Sequence, residues 1–545
     1  MIKLFKKYPI LSIIVFTLVM LLPNLNVIDV SIMEARNFIT AREMVDDGNW
    51  LLTTMNGEPR YEKPPLPTWL TAISGMLFGL KSTFALRLPA ILFIMVIGIY
   101  IFKISKIATE DISLSTRNAF IALTSFYIIG ITIEAPWDIF THGFMCIAIY
   151  HLFSVFKKEK NYWKHSLLAG CFLGLSFLCK GPISMYALML PFLLAYGFTF
   201  KYKQVKAKAF SFVSILILTF AIGAWWYLYV RFQDPATFNA ITQKETSNWS
   251  SYNIRPFYYY WSFFVQSGLW TIPAFISLLY PYLKSRVSYL KVYQFSILWT
   301  LFAVVLLSII PEKKSRYLMP VLIPLAINIG FYVDYLIKHF KNMTDKKETI
   351  PVYFNFGLIA FIGIAFPILS YVFLKDTISN HLFSYILASV VLFSIGVFIL
   401  LYLKKKDMSK VFSLTVLFFA CVIITALPLT KGFTNEKYNP ITGLKAEVKK
   451  QGINMYGENY ISPEMLWYYG EKIPFISFHD GLDNLPDDDK FGLLTKETFN
   501  EKTLTKLEGI YYIKEITTYN INRFPEDSKQ YNDRLLNVYY IFERK

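Results

Sequence analysis

Apolar stretches long enough to cross a lipid bilayer recur along this chain almost to residue 430, and they constrain its fold more than any other feature. A bilayer-spanning helix needs about 20 consecutive, mainly apolar residues. The chain has 545 residues and is 54% hydrophobic and 18% aromatic, a composition that excludes an ordinary soluble domain. Because lipid offers the backbone no hydrogen-bond partner, the apolar stretches should be helical. The sequence therefore predicts a polytopic α-helical membrane protein.

The positions of the apolar stretches predict thirteen transmembrane helices. Residues 1–28 begin with basic residues and lack a small-residue cleavage site before Asp29, which predicts an uncleaved signal-anchor helix. Segment 66–81 is apolar but short and bounded by prolines and Gly79, so it predicts an interfacial helix. The predicted spans lie near residues 9–28, 84–104, 117–135, 137–156, 165–180, 183–200, 209–231, 257–283, 290–311, 316–337, 352–374, 381–403 and 410–430.

The distribution of basic residues predicts the orientation in the membrane. With the N-terminus in the cytoplasm, the inner loops hold 25 Lys and Arg residues and the longer outer loops hold 13. The formal net charge of +17 is thus explained by topology, and no nucleic-acid partner is predicted. The four cysteines have neither metal-ligand nor redox spacing, so no metal site is predicted. An odd number of spans places the C-terminal tail outside.

The last part of the chain changes in character. Residues 431–545 are charged and rich in Tyr and Asn, which predicts a small soluble α/β domain. The predicted division is a membrane domain over 1–430, including an outer-face segment over 29–83, followed by this domain. Strands are predicted over 453–456, 491–495, 509–513 and 535–542, and helices over 441–451 and 462–469.

Basic residues on the predicted outer side collect at the ends of spans. The preference of Lys and Arg for the cytoplasmic side would predict few of them there. Residues 57–66 pack two acids, two bases and three prolines into ten positions, on a backbone that the prolines stiffen. Such bases at headgroup depth suit an anionic lipid phosphate. The alternative is that each is an ordinary surface or snorkelling base. The bases concerned are Arg60, Lys63, Lys180, Lys244, Arg255, Lys313, Lys314 and Arg316.

Three acids are candidates for a catalytic base. Residues 29–47 alternate apolar and charged positions at helical spacing, which predicts an amphipathic helix along the outer surface with Asp29 and Glu34 at its start. Asp138 lies in a short turn between two predicted spans, where a carboxylate would be water-accessible and could deprotonate an acceptor. The alternatives are a first-turn acid at Glu34 and a helix N-cap at Asp138.

The segments that carry these residues resemble a known pattern. Residues 34–44, 47–50 and 61–65 resemble the N-terminal signature of glycosyltransferase families 39 and 83, GT-C enzymes that include protein O-mannosyltransferases and lipid A aminoarabinose transferases. Residues 180–182, 256–260 and 317–320 are similar to later motifs of these families. The resemblance touches most of residues 29–325. The aminoarabinose transferases also resemble this chain in having thirteen spans and a soluble C-terminal domain.

The resemblance implies transfer of a sugar from a polyprenyl-phosphate donor to a lipid or protein acceptor at the outer face of a bacterial inner membrane. We expect the transfer to proceed with inversion, because a carboxylate would deprotonate the acceptor for a direct displacement. It implies no cofactor, no nucleotide sugar and no obligatory metal. Asp138 matches a later Asp of the families, and Lys63 matches a lysine near the carrier phosphate. Glu34 matches the second acid of a pair whose first, usually catalytic, Asp is replaced by Met33. Either Glu34 or Asp29 would then take over, or the activity would be altered.

The remaining site residues are predicted from position and resemblance together. Loop 232–256, with Lys244, Glu245 and Trp249, is expected to be a mobile cover. A protein-modifying or other envelope transferase remains an alternative, as do a lipid flippase or transporter and a purely structural protein. A transporter would carry its charges at mid-span, whereas here they collect at one face. The residues expected around the carrier phosphate are Arg60, Tyr61, Lys63, Lys180, Arg255, Lys313, Lys314 and Arg316.

Overall fold

The computed structural model describes residues 7–134, 136–378, 381–432, 435–477, 485–496, 499 and 501–545. Short 3-10 and π turns connect or extend several helices. The α-helices are α1 (Pro9–Leu21), α2 (Ile32–Asp46), α3 (Leu66–Phe78), α4 (Thr83–Thr109), α5 (Ile112–Leu123), α6 (Phe126–Glu134), α7 (Pro136–Lys157), α8 (Trp163–Lys180), α9 (Leu190–Thr199), α10 (Ala209–Gly223), α11 (Trp225–Gln233), α12 (Pro235–Ser251), α13 (Thr271–Ser277), α14 (Tyr280–Leu283), α15 (Leu290–Ile309), α16 (Met319–His339), α17 (Lys346–Ile378), α18 (Leu382–Lys404), α19 (Met408–Cys421), α20 (Leu444–Gln451), α21 (Pro463–Tyr469) and α22 (Glu501–Glu508).

Two compact units make up the chain. The first comprises residues 1–27, 61–70 and 87–429, within the described ranges, and the second comprises 28–60, 71–86 and 430–545. The predicted boundary near residue 430 is therefore found, but part of the predicted outer-face segment belongs with the C-terminal domain. The physical reason is a shared apolar core, in which Val30, Phe38 and Ile39 pack in one cluster with Trp467 and Tyr539.

The first unit is a polytopic helical membrane domain. Within the described residues, eight helices are long and apolar enough to cross a membrane, or nine if α5 and α6, bent by 45°, form one span. The predicted count of thirteen is not confirmed, because several predicted spans are short or broken helices. The shorter apolar helices are Pro9–Asn24, Leu66–Phe78 and Met185–Thr199.

The predicted span 257–283 is not a single helix, and this prediction was wrong. The segment consists of the 3-10 turns Phe257–Tyr260 and Phe263–Trp270, followed by α13 and α14. Gly268 has a positive φ of 65°, and a Cβ there would meet Cβ of Phe126 at 2.8 Å. Prolines at 273 and 281 remove further helical donors. Apolar composition therefore gave the correct environment but not the conformation.

Close helix contacts and satisfied polar groups hold the first unit together. Gly170 and Gly174 on α8 let the backbone of α10 approach, since a Cβ at either position would lie about 3 Å from a carbonyl oxygen of Ile215 or Thr219. Such small residues are typical of membrane helix interfaces. The buried Nδ2 of Asn328 donates to the carbonyl and hydroxyl oxygens of Ser277, each at 2.9 Å.

The second unit contains the predicted α/β domain. Its five-stranded sheet has the order β4-β3-β5-β7-β6, in which β3 is parallel to β4 and β5, while β7 is antiparallel to β5 and β6. The four predicted strands and two predicted helices are present, although β6 extends well beyond residue 513. Strand β4 and helix α22 were not predicted. The strands are β1 (Thr54–Met55), β2 (Glu58–Pro59), β3 (Asn454–Glu458), β4 (Phe475–Ile476), β5 (Lys490–Thr495), β6 (Tyr511–Asn520) and β7 (Leu536–Arg544).

Helix α2 is buried rather than amphipathic at a surface. Ten of its residues are buried, among them Glu43, which is 1% exposed. The Glu43 carboxylate accepts hydrogen bonds from Thr54 Oγ1 at 2.6 Å and from the backbone N–H of Asn56 at 2.7 Å. The charged positions that suggested a solvated face thus bind the β1–β2 hairpin of the same unit, and the sequence-based prediction was wrong on this point.

Candidate functional site

The centre of the site is a buried ion pair between Asp138 and Lys180. Asp138 lies in the first turn of α7, which Pro136 begins, and Lys180 is the last residue of α8. Gly181, with φ +73°, and Pro182 end α8 at this point. Lys180 Nζ donates to Asp138 Oδ1, and the two side chains are only 8% and 4% exposed.

The burial of Asp138 differs from the water-accessible turn that the sequence predicted. Its residue exposure is 3%, and it lies inside the helix rather than at the N-cap. Among the described residues, Asp138 Oδ2 has no hydrogen-bond partner. The pairing therefore engages one carboxylate oxygen and leaves the other buried without a hydrogen-bond partner in the described part of the structure.

Two further cations and a tyrosine surround this pair, from separate parts of the first unit. Lys63 and Arg316 both act electrostatically on Lys180. The ring of Tyr317 lies 5.4 Å from Lys180 Nζ and 5.9 Å from the Arg316 guanidinium. Asp138 in turn acts electrostatically on Tyr317. We call these five residues, Asp138, Lys180, Lys63, Arg316 and Tyr317, the Asp138 cluster.

The segment before α16 is fixed by a bridge to residues 253–255. The backbone N–H of Arg255 donates to Pro311 O at 3.2 Å, and that of Lys313 donates to Asn253 O at 3.1 Å. Lys313 is 3% exposed, and its ammonium donates to the carbonyl oxygens of Ile310 and Arg255 at 2.6 and 3.0 Å. Burial lowers the pKa of Lys313. These contacts give Lys313 a structural role and do not support the predicted phosphate contact.

Replacement of Lys313 by methionine is therefore expected to reduce stability more than catalysis. The change removes a charged donor from buried carbonyl groups, each of which costs about 1–3 kcal/mol when unsatisfied. Thermal unfolding of the purified protein in detergent measures this loss. A large increase in the donor KM without a change in unfolding temperature would return Lys313 to the phosphate site.

The other predicted phosphate-binding bases near this segment differ in their contacts and exposure. Lys314 Nζ pairs with Glu312 Oε1 at 2.5 Å and lies over the ring of Tyr252 at 4.8 Å, so its charge is largely compensated. Arg255 is exposed. Among the bases of residues 313–316, Arg316 is the one that joins the Asp138 cluster.

The loop at residues 61–63 contacts helix α12 at two points. Tyr61 is 6% exposed, and its hydroxyl donates to Asp234 Oδ2 at 3.2 Å, while Asp234 Oδ1 caps α12 by accepting from the Thr237 N–H. Burial and the Asp234 carboxylate raise the pKa of Tyr61 to about 12. Eight residues after Thr237 on α12, Glu245 places its Oε2 atom 3.6 Å from Lys63 Nζ.

The predicted mobile cover is thus largely helical. Residues 235–251 form α12, on which Lys244 is exposed. The side chain of Trp249 lies outside the described part of the structure, so its predicted contact with sugar or lipid stays a prediction. Glu245 has a contact that the sequence did not indicate, namely the one with Lys63.

Asp29, Glu34 and Arg60 belong to the second unit and have structural partners there. The Asp29 carboxylate accepts from Arg523 Nε at 2.6 Å and from its NH2 group at 2.9 Å. Glu34 is 1% exposed and forms a capping box with Ser31 at the start of α2. Arg60 donates to the carbonyl oxygen of Arg36 at 3.2 Å. These contacts support the alternative interpretation of Glu34 as a first-turn acid. The catalytic roles of Asp29 and Glu34 and the phosphate contact of Arg60 stay predictions.

Sequence reasoning missed three contributors to the site. Tyr317 begins a segment that was noted only for its similarity to a family motif, and Glu312 stands beside bases that drew the attention. Asp234 precedes Pro235 in a pattern typical of a helix start. The Asp-Pro pair was therefore a usable signal for the α12 cap. The proximity of Tyr317 to Lys180 had no sequence signal, because 137 positions separate the two residues.

No group of three or more His, Cys, Asp or Glu side chains that could hold a metal ion occurs in the described ranges. That the protein needs neither a metal nor a cofactor stays a prediction.

Part of this chain is similar in sequence to known membrane glycosyltransferases. Residues 62–227 match the family model for dolichyl-phosphate-mannose-protein mannosyltransferase. The chain is 26% identical over 357 residues to the undecaprenyl phosphate-alpha-4-amino-4-deoxy-L-arabinose arabinosyl transferase 1 of Proteus mirabilis, covering 63% of this chain and 62% of the relative. It is 25% identical to the corresponding enzyme of Shewanella sediminis, covering 62% and 61%. The chain thus aligns with about three-fifths of the length of these relatives.

The fold is similar over nearly the whole chain to a solved structure. ArnT from Cupriavidus metallidurans bound to undecaprenyl phosphate superposes with a TM-score of 0.68, at 14% identity and 98% coverage of both chains. The same protein in the apo state gives a TM-score of 0.63. At this identity the likeness shows the fold, and it confirms the predicted polytopic helical architecture with a small C-terminal α/β domain.

Proposed function

We propose that this multi-pass membrane protein, built on the GT-C glycosyltransferase fold, transfers a sugar from a polyprenyl-phosphate carrier to lipid A or a related envelope acceptor. We place it in a bacterial inner membrane, with the N-terminus cytoplasmic and the C-terminal domain periplasmic. The proposal is supported by the similarity to aminoarabinose transferases and by the family match over residues 62–227, which contain Lys63, Asp138 and Lys180.

The observation that carries the proposal is the Asp138 cluster. Lys63, Lys180 and Arg316 come from three distant parts of the first unit, and together with Asp138 they leave an excess of positive charge. Gathering like charges is unfavourable unless an anion joins them. A lipid-linked phosphodiester is the anion that a membrane glycosyltransferase uses, and charge-assisted hydrogen bonds are the strongest that the protein can offer it.

In the reaction we propose, a nucleophilic oxygen of the acceptor attacks C1 of the donor sugar. The bond between C1 and the phosphate oxygen breaks, and polyprenyl phosphate leaves with the electron pair. Negative charge therefore grows on the phosphate, where Lys63 and Arg316 stabilise it in a site of low dielectric. Lys180, held by Asp138, adds a third positive charge beside it.

The proton of the acceptor needs a base. Asp138 Oδ2, which has no hydrogen-bond partner among the described residues, is the atom of the cluster that can receive it. Attack on the side opposite the phosphate inverts the configuration at C1. Inversion and metal independence are parts of this proposal.

The most direct test is whether cells that lack the gene lose one envelope glycan. Mass spectrometry compares lipid A, other envelope glycans and glycoproteins from cells with and without the gene, and from cells complemented with the Lys63→Ala or Asp138→Ala variant. We expect one lipid A substituent to disappear and neither variant to restore it. A change confined to glycoproteins would assign a protein acceptor, and full complementation by both variants would exclude the Asp138 cluster from the chemistry.

Glu245 is expected to compete with the donor for Lys63. The Glu245→Gln variant removes the negative charge 3.6 Å from Lys63 Nζ, which should tighten binding of polyprenyl phosphate about two- to fivefold. That range follows from the 0.2–1 kcal/mol that exposed ion pairs contribute, on the order of a few-fold in affinity. Equilibrium binding of polyprenyl phosphate to the purified protein measures it, and weaker binding by this variant would show that Glu245 assists the donor instead.

A further inference from the structure

A second cluster of basic side chains lies in the first unit, away from the Asp138 cluster. His151 on α7 and His165 on α8 contact each other through their Nδ1 atoms at 2.8 Å. Lys158 Nζ lies 2.8 Å from His165 Nε2. His151 is buried. Two histidines and a lysine therefore form a continuous hydrogen-bonded series of side chains.

Two tyrosine rings lie between a second lysine and these hydrogen-bonded histidines. Lys103 Nζ lies 4.4 Å from the ring centre of Tyr100 and 5.7 Å from that of Tyr150. The Tyr150 ring in turn lies 5.1 Å from the ring of His151 and 6.4 Å from that of His165. We call His151, His165, Lys103 and Lys158, with the rings of Tyr100 and Tyr150, the His151 cluster.

The direction of the hydrogen bonds follows from the lysine. An ammonium group can only donate, so His165 Nε2 accepts from Lys158. A neutral His165 then carries its hydrogen on Nδ1 and donates it to His151 Nδ1, which leaves the hydrogen of His151 on Nε2. Lys103 Nζ, Lys158 Nζ and His151 Nε2 therefore keep hydrogens that they can donate to a further group. These donors favour a ligand that accepts hydrogen bonds.

In the described part of the structure, no carboxylate is among the charged groups that act on His151. The charged groups that act on His151 are His165, Lys103, Lys164 and Lys158, all basic. Lys157, at the end of the same helix, is different, because its ammonium pairs with Glu110 Oε1 at 3.2 Å and donates to Ile107 O at 2.7 Å. The His151 cluster is thus an uncompensated positive site beside a compensated one.

The position of the cluster indicates which anion it would meet. His151 is thirteen residues from Asp138 on α7, which is about 20 Å along a helix, so the cluster lies toward the opposite end of the α7–α8 pair. Trp163, 48% exposed at the start of α8, joins the two tyrosines as an aromatic side chain of the kind found at lipid headgroup depth. We propose that the His151 cluster binds the phosphate of an anionic membrane phospholipid.

Native mass spectrometry of the full-length protein tests this site. Protein in nanodiscs of phosphatidylcholine is titrated with phosphatidylglycerol, and the retained lipids are counted. We expect the Lys103→Gln, His165→Gln double variant to bind phosphatidylglycerol at least about fivefold more weakly. The single Lys103→Gln variant should show part of this loss, and since Lys103 has no hydrogen bond within the described part of the chain, its folding should be unaffected.

The Lys157→Gln variant is the matched control, because it removes a basic charge from the same helix end but not from the His151 cluster. It should retain phosphatidylglycerol like the unmodified protein. Equal retention by all variants, or equal retention of phosphatidylcholine, would overturn the proposal. Displacement of phosphatidylglycerol by an equal concentration of inorganic phosphate would also overturn it, since the site would then recognise free phosphate rather than a lipid.

Discussion

Replacing Asp138 by asparagine is expected to lower sugar transfer at least about 100-fold and to destabilise the protein. The transfer loss follows from removal of the proposed general base, which contributes about 10²–10⁴ in rate. The stability loss follows from burial, because the change leaves the Lys180 ammonium, 8% exposed, without its counter-charge. Breaking a buried pair in this way costs about 3–5 kcal/mol. Initial rates with a polyprenyl-linked donor and thermal unfolding in detergent measure the two effects.

A double variant separates the two roles of Asp138. Replacing Asp138 by asparagine and Lys180 by methionine together removes both buried charges, so the stability should return to within about 1 kcal/mol of the unmodified protein. Transfer should remain lost, because the base and one phosphate contact are absent. Recovery of transfer along with stability would mean that the pair serves only the fold.

Replacing Lys63 by alanine is expected to lower transfer about 10²–10³-fold, the usual effect of losing one group that stabilises charge in the transition state. Folding should change little, because the Lys63 side chain is 25% exposed and its contact with Glu245 at 3.6 Å is an exposed ion pair. The measurement is kcat and KM for the lipid-linked donor, together with the unfolding temperature.

Two control variants support the Lys63 measurement. Lys375→Ala removes an exposed lysine on the same predicted side of the membrane, outside the Asp138 cluster, and should not alter transfer. Lys63→Arg keeps the charge but changes the geometry, so it should restore part of the rate. Near-normal turnover by Lys63→Ala would contradict the placement of the carrier phosphate beside Lys63.

The sequence pointed to Lys63 and Asp138 but not to the contacts that they make. Lys63 and Asp138 were identified because charged residues beside membrane spans are costly and conspicuous in an apolar sequence. Lys313 had the same signal, yet its ammonium is used by the carbonyl groups of residues 310 and 255. Composition alone could not distinguish a lysine that binds a ligand from one that ties two loops together.

What the sequence determined by itself was the membrane class of the protein and the α/β character of its C-terminal domain. Both depend on local properties, because apolar length and strand periodicity are properties of neighbouring residues. Even so, the predicted span 257–283 failed, since Gly268 breaks the helix inside an apolar stretch.

Only the tertiary structure decided which charges meet. Asp138 and Lys180 are 42 residues apart, Tyr61 and Asp234 are 173 apart, and Asp29 pairs with Arg523 across 494 residues. The free energy of such a pair depends on distance and burial in the folded state, neither of which neighbouring residues specify. The sequence therefore determined the membrane class and the positions of the charged residues along the chain, while packing decided that Asp138 is buried with Lys180 and that Asp29 is held by Arg523.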